Sequence, residues 1–520
     1  MSKQTFLQGT FILILAGFIT RVLGFVNRIV VARIMGEEGV GLYMMAVPTL
    51  LLTITLTQLG LPIAISKLVA EAEAIGDHKR IKKILVVSLV TTGILSIIFT
   101  TGMIALAPFL STTLLTDDRT FYPLIAISPI VPIVALSSVL RGYFQGKQNM
   151  RPAAYSQVIE QVVRITLVAV FTKACLPYGV EFAAAGAMIS VVFGELVSLL
   201  YMMMIFKMKK RMKVRKNFFS SLKSGKETFH HLMAIALPTT GSRLIGSVAY
   251  FFEPIVVVWS LAIAGVTTVM ATRQYGELTG YALPLLFLPS FITYSLSVSL
   301  VPAISEAAAQ KKTLLIEHRL QQALRLSFVT GGLAVVILYV FADPVMQIMY
   351  GSSAAAIYVK VMAPFFLFYY FQGPLQAVLQ AMDLAKAAMI NSLIGAVIKI
   401  AVVFALATRP ELGIMGAALA IVVGIVLVTL LHFSTVIKVI SYTIHVREYV
   451  KSFITMILAG VGGHYFFLAL TSGSLGMRTL LAVMVTTSIY LILLVIFRLV
   501  KKEEVKRIPY LGKYLAPYVY

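Results

Sequence analysis

The chain has 520 residues, of which 59% are hydrophobic and only 12% charged, with a formal net charge of +23. Its mean hydropathy is +0.92, whereas a soluble domain carries about 25% charged residues, so a water-soluble globular fold is excluded. A basic excess of this size in a soluble protein would suggest nucleic acid, but here the basic residues alternate from loop to loop, which is the pattern of a membrane protein oriented by its cationic loops and gives no reason to invoke nucleic acid.

A helical span needs roughly 20 mostly apolar residues, because lipid offers backbone polar groups no partner outside the helix. About fourteen segments qualify, at 7–33, 42–66, 84–109, 121–142, 155–173, 183–206, 233–258, 280–303, 326–343, 358–380, 388–407, 413–436, 452–471 and 479–498. The first is too long for a signal peptide and has no small-residue cleavage site, so it is expected to remain. With both termini placed in the cytoplasm, the segments on that side hold 31 Lys or Arg and the outer ones five: Arg119, Lys173, Arg273, Arg409 and Arg478. The one acidic patch outside is Asp117-Asp118. Cys175 is the only cysteine, which excludes an internal disulfide.

The second half echoes the first. Thr20-Arg21-Val22-Leu23-Gly24 matches Ser242-Arg243-Leu244-Ile245-Gly246, and Pro62-Ile63-Ala64-Ile65-Ser66 resembles Pro302-Ala303-Ile304-Ser305. Gln145, Arg151 and Arg164 match Gln380, Lys386 and Lys399; Glu181, Gly186-Ala187 and Gly194 match Glu411, Gly416-Ala417 and Gly424. The repeat unit is six spans. An even number keeps both copies in one orientation, so the halves are related by an axis along the membrane normal. The expected architecture is all-α: an N-terminal six-helix lobe (1–206), a basic cytoplasmic linker (207–232), a C-terminal six-helix lobe (233–437), two extra transmembrane helices (438–500) and a basic tail (501–520). Rocking two such lobes would expose a central cavity to each side in turn.

Charges at membrane depth point to the cavity. A charged side chain at the bilayer centre costs about 2.5–3.5 kcal/mol on insertion scales, so it faces a cavity or a partner. Arg21 and Arg28 are seven residues apart and share a helix face, Gly24 lies near that stripe, and Arg243 is the repeat counterpart of Arg21. Guanidinium groups bind phosphate bidentately, so arginines on opposing lobes suggest an anionic, phosphate-bearing substrate. The alternative is pairing with Glu160, Glu195 or Glu253, or snorkelling to an interface. Glu160 and Arg164 stand four apart and can pair on one face. Lys399 replaces Arg164 in the second lobe without an acidic residue four positions earlier, which makes it a further candidate for the cavity. Glu160, Glu195 and Glu253 are candidates for coupling to H⁺ or Na⁺. Pro129, Pro132, Pro238, Pro284, Pro289 and Pro302 interrupt spans as hinges or as packing kinks. The aromatic run Phe365-Phe366-Leu367-Phe368-Tyr369-Tyr370-Phe371 reads as lipid-facing or interfacial. No phosphate-binding loop, zinc-ligand spacing or Ser-His-Asp arrangement is recognisable, so neither an enzyme nor a bound cofactor is expected.

Several stretches resemble one superfamily: Thr20-Arg21-Val22-Leu23-Gly24-Phe25, Val31-Ala32-Arg33-Ile34-Met35-Gly36 and Gln58-Leu59-Gly60-Leu61-Pro62. They are similar to the multidrug/oligosaccharidyl-lipid/polysaccharide flippases, and within them to the sporulation branch of endospore-forming bacteria. The resemblance implies two six-helix lobes plus two helices, transport of an undecaprenyl-diphosphate-linked sugar across the bacterial cytoplasmic membrane, and a role in spore cortex peptidoglycan. The lipid II flippases of that superfamily carry Arg-Asp where this chain has Asn27-Arg28, and a basic residue where it has Leu52. The readings carried forward are a lipid-linked glycan flippase and a cation-coupled drug exporter on the same scaffold, the latter disfavoured by eight Lys or Arg at membrane depth. A membrane glycosyl or polyprenyl transferase would need metal-binding acidic motifs that are not found. A non-transporting scaffold for cell-wall synthases stays open, with the linker binding a partner or anionic lipid.

Overall fold

The computed structural model describes residues 6–209, 224–440, 442–443 and 445–499, and side chains from Leu15 onward. The tail 501–520, most of the basic linker and the side chain of Ser242 lie outside the described residues. Among the described residues there are helices and no strands. Close packing groups the chain into two compact units, Met1–Gly280 with Ala407–Ile414, and Tyr281–Leu406 with Met415–Tyr520.

Unit 1 begins with α1 (Phe6–Gln58), 53 residues broken into two arms at Gly36, whose φ of 68° and ψ of −174° lie outside the helical range. Then come α2 (Leu61–Ala74), α3 (His78–Phe109), α4 (Phe121–Ile127), α5 (Ile130–Gly146), α6 (Arg151–Cys175), α7 (Val180–Lys209), α8 (Lys226–Ile263) and α9 (Thr268–Gly276). A π-helical turn follows α3 at Leu110–Leu114 and another follows α9 at Glu277–Ala282. The core gathers Leu61, Ile65 and Val69 of α2 with Ile81, Ile84 and Leu85 of α3, Val139 and Tyr143 of α5, and Met202 of α7. Two glycines let α5 approach α2. A side-chain carbon at Gly142 would lie 2.8 Å from the Pro62 carbonyl, and one at Gly146 2.6 Å from that of Ser66. Small residues serve this purpose in membranes, where apolar burial between helices gives no net drive and close van der Waals fit decides.

Unit 2 holds α10 (Leu283–Phe287), α11 (Ser290–Ala309), α12 (Thr313–Val340), α13 (Ala342–Tyr350), α14 (Ala356–Ala381), α15 (Ala385–Ala407), α16 (Ile414–Ile437), α17 (Val446–Ala469) and α18 (Leu475–Ile496). Its core repeats the first: Leu300 and Ile304 around Pro302 pack on Leu320 and Leu324 of α12 and Val378 and Leu379 of α14. A second contact recurs as well. A carbon at Gly194 would lie 3.3 Å from Arg164 Cβ, and one at the matching Gly424 3.1 Å from Lys399 Cβ. The outermost helices, α17 and α18, pack against each other and against α12, where Tyr490 donates a hydrogen bond of 2.8 Å to the Val329 carbonyl.

Among the described residues eleven segments are long and apolar enough to cross a membrane, including Leu15–Ala74, which takes in most of the first expected span and all of the second, joined at Gly36. The expected spans 155–173 and 358–380 are not among the eleven, although they lie on α6 and α14, helices of 25 and 26 residues. Their polar residues, Glu160, Arg164 and Lys173 in one and Lys360, Gln372 and Gln376 in the other, dilute the apolar signal. The multi-pass helical class is established, and the count of fourteen is not. The aromatic run differs from expectation at two of its seven residues. Phe366 and Tyr370 are fully buried, and Tyr370 donates to the Leu286 carbonyl at 2.9 Å, while Phe365 is exposed. Of the prolines, Pro129 and Pro289 stand at breaks between helices, whereas Pro238 and Pro302 lie inside continuous ones.

Candidate functional site

The first arm of α1 places Arg21 and Arg28 on exposed surface, with Gly24 half-buried between them and Asn27 buried. Gly24 faces α6: a carbon there would lie 3.9 Å from Gln161 Oε1. Both Gln161 Oε1 and Asn27 Oδ1 are buried without a hydrogen-bond partner. Arg243, on α8, is exposed. Among the described residues it makes no ion pair. Four residues after it, Ser247 shares a hydrogen bond of 2.8 Å with Thr55 of the second arm of α1. Arg28 is close enough for its charge to act on Tyr250 of α8, as does that of the buried Glu253. Seven residues, about 10 Å of helix, separate Arg21 from Arg28 and likewise Arg243 from Tyr250.

Two of the three carboxylates expected as alternative partners, Glu160 and Glu195, are engaged elsewhere. Arg164 Nη2 donates to Glu160 Oε1 at 2.5 Å, the expected i,i+4 pair. Arg141 Nη2 lies 2.9 Å from Glu195 Oε1 and 3.6 Å from Glu160 Oε2. Two arginines and two glutamates from α5, α6 and α7 therefore neutralise one another inside unit 1. Sequence reasoning missed Arg141, which sits at the edge of its expected span, although Glu195 on a neighbouring span signalled the need for a cation. Lys399 belongs to unit 2, half-buried on α15. One helical turn earlier stands Gly395, against which Val428 of α16 packs. Near it on the same helix, Asn391 donates to Thr435 Oγ1 at 3.0 Å and contacts His432 Nδ1 at 3.2 Å.

At the end of unit 1 remote from Lys79–Lys83, a second set of charges ties α1 to its neighbours. Arg273 of α9 pairs with Glu37 at 2.6 Å and with Glu277 at 3.3 Å. Arg119 binds Asp117 at 2.9 Å and also bonds Glu38. Thr272 donates to Asp117 Oδ2 at 2.6 Å. Burial opposes ionisation of Asp117, but the hydrogen bonds from Arg119 and Thr272 outweigh it and hold its carboxyl below the usual aspartate value. The backbones nearly touch here: a carbon at Gly41 would lie 2.0 Å from the Thr272 carbonyl, and one at Gly276 2.1 Å from that of Glu37. Among the described residues no three His, Cys, Asp or Glu converge as a metal would require.

The comparisons bear on this arrangement. The family model described as "Polysaccharide biosynthesis protein" matches residues 6–308, and the MatE model matches residues 251–405. Stage V sporulation protein B of Bacillus subtilis (strain 168) is 63% identical over 514 residues, 99% of each chain. The lipid II flippase MurJ of the same organism is 26% identical over 425 residues, 76% of each chain. A solved structure of the lipid II flippase MurJ in an inward closed conformation matches with a TM-score of 0.69 at 16% identity, over 93% of this chain and 98% of that one, which shows a shared fold. With α1 to α11 inside the matched region, the chain belongs to the polysaccharide biosynthesis protein family, within the multidrug/oligosaccharidyl-lipid/polysaccharide flippase superfamily.

Proposed function

We propose that the protein flips a polyprenyl-diphosphate-linked glycan, a peptidoglycan or polysaccharide precursor, across the bacterial cytoplasmic membrane by alternating access. The observation that carries this reading is the set of exposed arginines, Arg21 and Arg28 on α1 and Arg243 on α8, while Glu160 and Glu195 are taken up by Arg164 and Arg141. Arg28 is near enough to Tyr250 for its charge to act there, and Arg21 precedes Arg28 by seven residues as Arg243 precedes Tyr250. Guanidinium forks suit a diphosphate, and the polyprenyl tail stays in lipid. Lys399 adds a cation on the second half. Similarity to stage V sporulation protein B supports service to spore cortex peptidoglycan.

Energy comes from an ion gradient in this reading, with Glu253, buried beside Tyr250 and Tyr275, as the H⁺ or Na⁺ candidate. Glu160 and Glu195, paired with Arg164 and Arg141, are further candidates. A cation-coupled drug exporter draws support from the MatE match, but the exposed arginines would repel cationic drugs. The test is flipping of a labelled polyprenyl-diphosphate disaccharide-peptide in liposomes, with and without an imposed gradient. Wild type should flip and Arg21→Ala should lose transport by about tenfold or more. Normal transport by Arg21→Ala would remove the arginine site. Cell-wall synthases are candidate partners, and absence of flipping by folded wild type would favour a scaffold role among them.

A further inference from the structure

At the end of unit 1 remote from Lys79–Lys83 lies an open groove of about 390 Å³, walled by the C-terminal turn of α3, the Asp118–Tyr122 stretch and the start of α7. We propose that it binds a ligand through a primary ammonium group. The inference stands on the groove's own chemistry and is independent of what the arginines carry.

Size comes first. The volume falls within the range of roughly 300–1,000 Å³ typical of small-molecule sites. The polar lining is then one-sided. Ser111 and Thr112 both donate their hydroxyl hydrogens to the Pro108 carbonyl, at 3.0 and 2.9 Å, so they face a ligand as acceptors. The charge of Arg119 is matched by other carboxylates: Nε and Nη2 bond Asp117 at 3.0 and 2.9 Å, and Nη1 bonds Glu38. Asp118 and Glu181 carry carboxylates with no hydrogen-bond or ion-pair partner among the described residues. The groove thus offers hydroxyl acceptors and two uncompensated carboxylates, and its one cation, Arg119, is tied to Asp117 and Glu38. A complementary ligand brings positive charge on a group that can donate to these carboxylates.

Aromatic geometry adds to this. Tyr122 is 40% exposed and is backed by Phe182, ring centroids 4.6 Å apart, with Phe121 edge-on at 5.7 Å. A fixed, partly open aromatic face beside two carboxylates is a cation–π seat for an ammonium group. Gly179 sets the second carboxylate. Its φ of 136° suits glycine, and a carbon there would lie 2.8 Å from Glu181 Oε1. Glu181 in the first turn of α7 also complements the helix dipole, so the test must separate a ligand site from a structural acid.

An ammonium group can come from an amino sugar or from the side-chain amine of a peptide. The probes are D-glucosamine, N-acetyl-D-glucosamine and Ala-Lys-Ala with blocked termini, titrated by saturation-transfer NMR against the full chain in lipid nanodiscs. At least one ammonium probe should saturate with a Kd of about 1–10 mM. The Asp118→Asn/Glu181→Gln double variant should weaken it by about tenfold or more. Tyr122→Ala should weaken it too, and the acetylated sugar should not saturate. Whichever ammonium probe binds names the source. The proposal is overturned if neither saturates on folded wild type, if the acetylated sugar binds as tightly as glucosamine, or if the isosteric double variant, unchanged in thermal unfolding, binds like wild type.

Discussion

Arg141 shows how a single residue can be both hidden in the sequence and central in the fold. It lies 54 residues before Glu195, with α6 between them, yet it supplies the charge that Glu195 and Glu160 require. Removing one partner of a buried ion pair leaves an uncompensated charge, at a cost of about 3–5 kcal/mol. Arg141→Leu should therefore lower the thermal unfolding temperature sharply in nanodiscs, and adding Glu195→Leu should recover a large part of the loss. Recovery would fail to appear if Arg141 acted mainly on something other than the carboxylates. Arg21→Ala should leave unfolding almost unchanged while transport is lost, since its side chain is exposed. Asp117 gives a pH sign. Its folded pKa is depressed, so its stabilising contribution is complete above the ordinary aspartate value and is lost only as pH falls through the lower folded value. Asp117→Asn should destabilise the protein at pH 7 and flatten the acid limb of its pH–stability curve below about pH 4.

Elements meet where glycines allow it. Gly142 and Gly146 on α5 and Gly41 on α1 each lie closer to a neighbouring backbone than any side chain permits. Gly142→Leu should destabilise by at least about 1–3 kcal/mol, the range for overpacking, read as a fall in unfolding temperature. Gly41→Leu should wedge α1 away from Thr272 and expose the region around Glu37 and Glu38 to hydrogen exchange, with little change in the α2–α5 core. Wild-type exchange in the Gly41 variant would show that the α1–α9 seam yields without opening. Helix content and the recurring motifs were readable from sequence, because apolar length and repeated Arg, Gly and Pro positions are local features. The seam was not readable, since nothing local in Gly41 or Gly276 distinguishes a close approach from an ordinary turn.

On the scale of the whole molecule, the reading of orientation rests on 31 basic residues against five. In a Cys175→Ala background, a cysteine placed at Asp118 should label from outside intact cells, and one at Ser224 only after permeabilisation. The reverse pattern would invert the topology and move the ammonium groove to the cytoplasm. By itself the sequence determined the membrane class, the multi-pass helical fold and the i,i+4 pair of Glu160 with Arg164, because hydropathy, periodicity and short spacings act along the chain. Only the tertiary structure decided which arginines are spoken for and which remain. It brought Arg141 to Glu195, left Arg243 without an ion pair among the described residues, buried Phe366 and Tyr370 of the aromatic run, and tied Arg119 to Asp117 and Glu38 so that Asp118 and Glu181 face the groove uncompensated. Charge pairing is set by distance in space, and a linear chain fixes that distance only within a helical turn or two.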